Sequence, residues 1–370
     1  MMKVCIITAA RSEYGMSRWI INDISKSCNL QLQLIATGSH LSPEQGNTVH
    51  FIEEDGYSID ERVEMLLSSS TSVGIAKSMG VCAMGISDAF QRLRPDMIVV
   101  LGDRYELLPI CSVALVMGIT IAHISGGDIT EGVIDDQVRN AVTMMATLHF
   151  PSNEKSASNI CRMRGNNKFI FIAGEPSLDN FLRCRLMNRE ELAKSLNLEI
   201  NKRWFLITLH PETKQGINYN LDMANNMVEA LKTINNAQFV VTKANADLYG
   251  HEINEYLQSV AAKNKDDFHF IDSLGNTRYM SFMKQVECII GNSSSGIVEA
   301  PFLGKPVVNI GDRQKGRYQC GNVMQVANDF FQIEAALMIV NGDVAPDYYY
   351  GDGHGAETIV TKIEEYLCQK

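Results

Sequence analysis

The chain has 370 residues, 45% of them hydrophobic, and a formal net charge of -10. That length exceeds the size at which one hydrophobic core stops growing, so two domains are expected. The acidic balance argues against a nucleic-acid surface, which needs a strong basic excess, and an anionic ligand would need a local basic pocket. The nine cysteines are scattered and contain no C-x-x-C pair. Reduced thiols in a cytoplasmic protein fit that usage.

The opening "MMKVCIITAARSEYG" reads as a first strand rather than a secretion signal, because its short apolar run leads into Arg11 and Glu13. No run approaches the ~18 apolar residues of a membrane span, so no membrane partner is expected. Short β-branched runs then alternate with longer amphipathic ones: "KVCIITA" (3–9), "LQLIAT" (32–37), "DMIVVLG" (96–102), "ITIAHIS" (119–125) and "KFIFIAG" (168–174). Near-continuous apolar strands separated by helices indicate a parallel sheet covered on both faces.

After a polar stretch near 188–203 the pattern restarts with "WFLITLH" (204–210), "QFVVTK" (238–243), "FHFI" (268–271), "ECIIGN" (287–292) and "PVVNIG" (306–311). The fold expected is therefore α/β, with two doubly wound Rossmann-like domains facing a cleft. The last segment, "AETIVTKIEEYLCQK", has helical spacing at Ile359, Ile363 and Leu367. It is expected to cross back onto the first domain, which gives 1–175 with 356–370 as one domain and 176–355 as the other.

In open parallel sheets ligands bind beyond the carboxyl ends of strands, so the polar residues that follow each strand are the candidates. "AARSEYG" places Arg11 there, a forked permanent cation suited to phosphate or carboxylate. An exposed arginine beside a helix start is the alternative. "LGDRYE" places Asp103 and Arg104 after an apolar strand, and a helix-capping aspartate is the competing reading. "TLHPET" offers His210 for a phosphate contact or acid/base chemistry, or simply as a turn residue.

"IIGNSSSGIVEAPFLGKPVV" (289–308) carries more information. Gly291, three serines and Gly296 precede a helix, and small residues with helix-start N–H groups suit a diphosphate. Glu299 follows where a carboxylate can meet ribose hydroxyls. The segment is neither G-x-G-x-x-G nor a P-loop, so no NAD or ATP motif is found.

"GGDITEGVIDD" (126–136) gathers Asp128, Glu131, Asp135 and Asp136 behind two glycines. "IDDQVRNAV" reads as a helix start, with Asp135 one turn from Arg139. That account covers Asp136 and leaves Asp128 and Glu131 in a loop after a strand. The spacing is not that of a metal site, with only His123 nearby, so no metal or other cofactor is expected.

With "RSEYG", "GDRYE", "HISGGDITEGVIDDQVRNA", "HPET", "GNSSSGIVEAPFLGKPVVNIGDRQKGR" and the later "YGDGHG" in order, the chain resembles the hydrolysing UDP-N-acetylglucosamine 2-epimerases of bacterial sialic- and legionaminic-acid pathways. The resemblance implies a glycosyltransferase-B-like fold and a UDP-sugar substrate. It also implies that Arg11, His210, Ser293 and Ser294 hold the diphosphate, with Glu299 on the ribose and Arg313 or Arg317 on the phosphate side. Asp103, Asp135 and Arg139 match catalytic positions. Ser125 stands where several relatives carry Glu in "HIEGG", which leaves Glu131, with Asp128 behind it, as the substitute acid or base. Gly15 stands where some relatives have Ser, at a position that faces UDP.

The activity implied is conversion of UDP-N-acetylglucosamine and water to N-acetylmannosamine and UDP, by a cytoplasmic homodimer. The same chemistry on a UDP-2,4-diacetamido-2,4,6-trideoxyhexose is the alternative within the family. A non-hydrolysing epimerase typically opens with a G-T-R-P-E-type stretch, against which "AARSEYG" speaks. A retaining glycosyltransferase of the same fold would have little use for the acidic loop, and the intact Asp103, Glu131 and Asp135 argue against a non-catalytic sensor.

Overall fold

A computed structural model of the chain describes residues 1–69, 71–129, 134–244, 247–340 and 342–369. The chain forms two compact units, Met1–Leu182 with Gly351–Lys370, and Arg183–Tyr350. In the first unit β1 (Met2–Thr8), α1 (Arg11–Lys26), β2 (Leu30–Thr37), α2 (His50–Glu54), β3 (Glu61–Val63) and α3 (Ser72–Leu93) come first. They are followed by β4 (Met97–Leu101), α4 (Leu107–Val116), β5 (Thr120–Ile124), α5 (Ile134–Met145), β6 (Leu148–Phe150), α6 (Glu154–Arg164) and α7 (Asp179–Arg183).

The second unit holds α8 (Arg189–Leu196), β7 (Arg203–Thr208), α9 (Ile217–Leu231), β8 (Ala237–Thr242), α10 (Gly250–Lys263), β9 (Phe268–Ile271) and α11 (Gly275–Gln285). It continues with β10 (Cys288–Gly291), α12 (Ser294–Phe302), β11 (Val307–Ile310), β12 (Val323–Val326) and α13 (Phe330–Ile339). The chain then re-enters the first unit as α14 (Gly355–Cys368), which packs on α1.

Each unit is built on a six-stranded parallel sheet, ordered β3-β2-β1-β4-β5-β6 in the first and β12-β11-β10-β7-β8-β9 in the second. The order reverses direction between β1 and β4, and between β10 and β7. Those are the places where a doubly wound sheet opens a crevice at its carboxyl edge.

The alternation of strand side chains divides the first core in two. Val4 and Ile6 of β1 face the helices α1 and α14, while Cys5 and Ile7 face α3, α4 and α5. Ile359, Ile363 and Leu367 of α14 close the first face, consistent with their helical spacing. The start of α14 is held by Asp179, whose carboxylate accepts from the N–H groups of Gly355 and Ala356 at 2.9 and 3.1 Å.

Three expectations change. "KFIFIAG" is not a strand; only Ile170 bridges to His149, and the neighbouring strand is the unanticipated "LHF" of β6. Phe169 takes a left-handed backbone, φ 57°, which breaks the extended run. The edge strands β3 and β12 also went unread, since "ERV" and "VMQV" are short and partly exposed. Finally, α3 is long and apolar enough to cross a membrane by length and composition. Here Cys82, Ile86, Ala89 and Phe90 pack into the sheet core, while Val73, Ile75 and Met84 are exposed.

Candidate active site

At the carboxyl edge of the first sheet, β4 ends in Leu101 and the chain turns through Gly102 into Asp103 and Arg104. His123 of β5 fixes that turn. Its ring is fully buried, Nε2 donates to the Gly102 carbonyl at 2.8 Å, and Nδ1 accepts from the Thr143 hydroxyl of α5 at 3.2 Å. Burial lowers its pKa to about 4, so the imidazole is neutral and serves as a strut between β4, β5 and α5.

Arg139, buried on α5, donates from Nη2 to the Asp103 carboxylate. Its Nη1 donates to the Asp128 backbone carbonyl at 2.9 Å and lies 3.6 Å from Asp136. The partner expected for Arg139 was Asp135. Among the described residues the ion pairs instead go to Asp103 and to Asp136, three residues before Arg139 on α5. Asp135 senses Arg139 without pairing to it. Its carboxyl is raised above the ordinary range by burial first and then by the Asp103 charge, against the lowering pull of Arg139 and Arg104.

Asp128 lies against the start of α6. Its carboxylate accepts from the Ser156 hydroxyl in the first turn of α6, beside the N-cap Asn153. Gly127 permits this approach. At φ 83° it is left-handed, and a Cβ there would lie 2.2 Å from the Ser156 carbonyl oxygen. Glu131 lies outside the described residues. Arg11 starts α1 with its guanidinium 4.4 Å above the Phe51 ring. Gly15, on α1, has open space where a Cβ would stand.

Arg104 is bracketed by two carboxyls that the sequence reading did not single out. Its Nη2 donates to Glu106 at 2.7 Å, and its Nε lies 3.5 Å from Glu13. Nothing in the sequence signalled that Glu13, the charged residue after the first strand, meets a strand end about ninety residues later.

In the second unit the central strands β7 and β10 lead into loops that carry His210 and Asn292. Asn292 donates to the His210 carbonyl at 2.8 Å and accepts from its N–H at 2.7 Å, which joins the two loops. Gly291, at φ 133°, makes the approach possible, since a Cβ would fall 2.0 Å from the Thr208 carbonyl oxygen. The Asn292 carbonyl in turn accepts from Arg313 at 3.3 Å and Gln314 at 2.9 Å. Burial, and then the nearby Arg313 charge, lowers His210 to about 4, so the ring is neutral near pH 7 and offers an N–H rather than a charge.

Ser293 caps α12, its hydroxyl accepting from Ser295 N at 3.4 Å, and Ser294 is exposed at the first helical position. Tyr279 of α11, also unread in the sequence, meets the Ser295 hydroxyl at 2.6 Å and braces this turn. Gly296 is buried where a Cβ would press on Val307 at 3.1 Å, so it brings α12 close to β11. Glu299 lies partly buried one turn further on, and Arg317 is exposed. Helix-start N–H groups with Arg313 beside them make an anion-binding edge. Among the described residues, no group of three or more His, Cys, Asp or Glu is gathered as metal ligands would be.

The family model described as UDP-N-acetylglucosamine 2-epimerase matches residues 22–364. The chain is similar to the GDP/UDP-N,N'-diacetylbacillosamine 2-epimerase (hydrolyzing) of Campylobacter jejuni, with 40% identity over 322 residues, 87% of this chain and 83% of that relative. It is 29% identical over 357 residues to the UDP-N,N'-diacetylbacillosamine 2-epimerase (hydrolyzing) of Legionella pneumophila, covering 96% and 93% of the two chains. Among solved structures, the UDP-GlcNAc 2-epimerase from Neisseria meningitidis bound to UDP-GlcNAc matches with a TM-score of 0.77 at 18% identity, over 98% of this chain and 100% of that one. The fold is accordingly the glycosyltransferase-B-like pair of parallel-sheet domains.

Proposed function

The chain belongs to the UDP-N-acetylglucosamine 2-epimerase family, and from that premise we propose that it is a hydrolysing 2-epimerase acting on a UDP-linked 2-acetamido sugar. The C2 hydrogen of such a sugar has no carbonyl beside it and is not acidic. Departure of UDP breaks the C1–O bond and gives C1 oxocarbenium character, after which a carboxylate can remove the C2 proton to leave a glycal. Water then supplies the C1 hydroxyl, and a proton delivered to the opposite face of C2 yields the free epimer. The route needs donors on the departing phosphate and carboxyls near C1 and C2.

The observation that carries this reading is the pair of carboxyls in unlike settings at the end of β4 and the start of α5. Asp103 is ion-paired to buried Arg139, while Asp135 is raised by burial and by the Asp103 charge. Such a difference between neighbouring acids suits one that accepts a proton and one that delivers it. Glu131 stays in this catalytic set by its position in the sequence. Asp128, engaged by Ser156, anchors the loop. Arg11, Arg104, His210, Ser293, Ser294, Arg313 and Arg317 take the diphosphate, Glu299 the ribose, Gly15 leaves room for the nucleotide, and Gly296 sets α12 close against β11. A cytoplasmic homodimer completes the proposal.

For the sugar, we place a UDP-2,4-diacetamido-2,4,6-trideoxyhexose ahead of UDP-N-acetylglucosamine, because relatives at 40% and 29% identity carry names for diacetylbacillosamine. Turnover of both, and of the GDP-linked diacetamido sugar, is followed by NMR. Free UDP with a free sugar inverted at C2 is the expected outcome. A nucleotide-linked epimer would mean a non-hydrolysing enzyme, and no turnover without an acceptor would mean a transferase.

A further inference from the structure

Two buried carboxyls beside the site take no part in the reaction as derived. Glu13 lies in the first turn of α1, where its Oε2 accepts from the Ala9 N–H at 2.7 Å. Its Oε1 is buried without a hydrogen-bond partner and faces Arg104 Nε, equally unpartnered, at 3.5 Å. On the other edge of the guanidinium, Nη2 donates to Glu106 Oε1 at 2.7 Å. Glu106 is fully buried and its Oε2 has no partner. Helix capping accounts for one oxygen of Glu13 and for none of the other three polar atoms left unpaired.

One guanidinium therefore stands between two buried acids, next in sequence to Asp103. Arg104 keeps 41% of its side-chain surface exposed, and its Nη1 takes no partner among the described residues. Two buried carboxylates on one part-exposed cation carry a net negative charge that their burial penalises, and a single proton relieves it.

Among the described residues, the other titratable groups facing the set are His40 in the 38–41 turn, Cys82 of α3, Tyr105, and Asp135 on α5 with Asp103 beyond it. His40 is lowered to about 4, Cys82 is raised to about 12, and burial raises Tyr105 further above its already high value, so none of these three changes charge near neutrality. Burial pushes Glu13 up to about 7, against the lowering effect of the Ala9 N–H and Arg104.

We propose that Glu13 and Glu106 are positioning residues that grip Arg104 by its Nε and Nη2 edge, leave Nη1 for the diphosphate of the bound nucleotide, and that Glu13 becomes more fully protonated from solvent on binding. The inference rests on the site being one for a UDP-sugar. An anion that draws on the guanidinium weakens its hold on Glu13, and the carboxyl's affinity for a proton rises. Nucleotide binding and protonation of Glu13 are then linked, each favouring the other. A glutamate that only capped a helix would show no such linkage.

The test is calorimetric titration of the full-length protein with UDP at pH 7.5, in two buffers of different ionisation heat, for wild type, Glu13→Gln and Glu106→Gln. Ionisation of UDP itself contributes alike to all three. Wild type is expected to take up about half a proton more than Glu13→Gln. Glu106→Gln takes up less than wild type, since loss of the neighbouring carboxylate lowers Glu13's proton affinity. The wild-type Kd for UDP weakens by about threefold or more between pH 7 and 8.5 beyond any change in Glu13→Gln. Should Glu13→Gln not fold, Glu106→Gln and the wild-type pH series still read the linkage. Binding of UDP with equal proton uptake in wild type and variants overturns the inference alone. No binding of UDP at all removes the proposed function and the inference with it.

Discussion

Arg139 shows how the carboxylates proposed for proton transfer are fixed in place. Buried on α5, it holds the Asp103 side chain and the Asp128 carbonyl at once, and so ties the β4 turn to the loop after β5. Asp103→Asn keeps the shape but removes the charge and, on the proposed function, the base. It is expected to lower kcat by about 10²–10⁴-fold with UDP affinity little changed, checked by steady-state kinetics beside UDP titration. Glu131→Gln is expected to bind UDP normally and lose most turnover. A near-normal rate would remove Glu131 from the catalytic set and leave Asp135 as the second carboxyl.

At the scale of elements, the sites sit where sheet order reverses, and helix starts carry the polar groups. The sharpest dependence between distant segments is Asp179 on the first turn of α14. Asp179→Ala leaves two buried N–H groups without that acceptor and is expected to cost about 1–2 kcal/mol, read as a lower urea midpoint. Ile359, Ile363 and Leu367 were legible in the sequence because helical spacing is local, and apolar runs marked the central strands for the same reason. "KFIFIAG" misled because composition does not reveal a left-handed Phe169, and "ERV" was missed because an edge strand needs little apolar content. Asp103, His210 and the serine turn were legible as residues that follow strands. Glu13, Glu106, His123, Asn292 and Tyr279 were not, since each acts through a partner far away in sequence or through burial.

For the whole molecule, buried histidines set the response to acid. His40, His123 and His210 are lowered to about 4 and His149 to about 3, each chiefly by burial. The unfolded chain therefore binds more protons than the folded one as pH falls from about 6.5 toward 4, and these residues lose stability over that window. Glu13 acts in the opposite sense: raised to about 7, it favours the folded state at low pH and loses that contribution as pH rises through 7. Four groups outweigh one, so the urea midpoint is expected to drop between pH 7 and pH 5, and a rise would contradict the burial assigned here. His149 has neither ring nitrogen paired. His149→Leu is expected to stabilise the first unit by about 1 kcal/mol and to flatten the decline.

The central claim is that UDP leaves before the C2 proton returns from water. Turnover of the UDP-linked sugar in heavy water, followed by proton NMR and mass spectrometry, tests it most directly. The account predicts free UDP and a free C2-inverted sugar carrying one deuterium at C2. Release of UDP with a sugar that keeps its original hydrogen and configuration at C2 would show simple hydrolysis and contradict it.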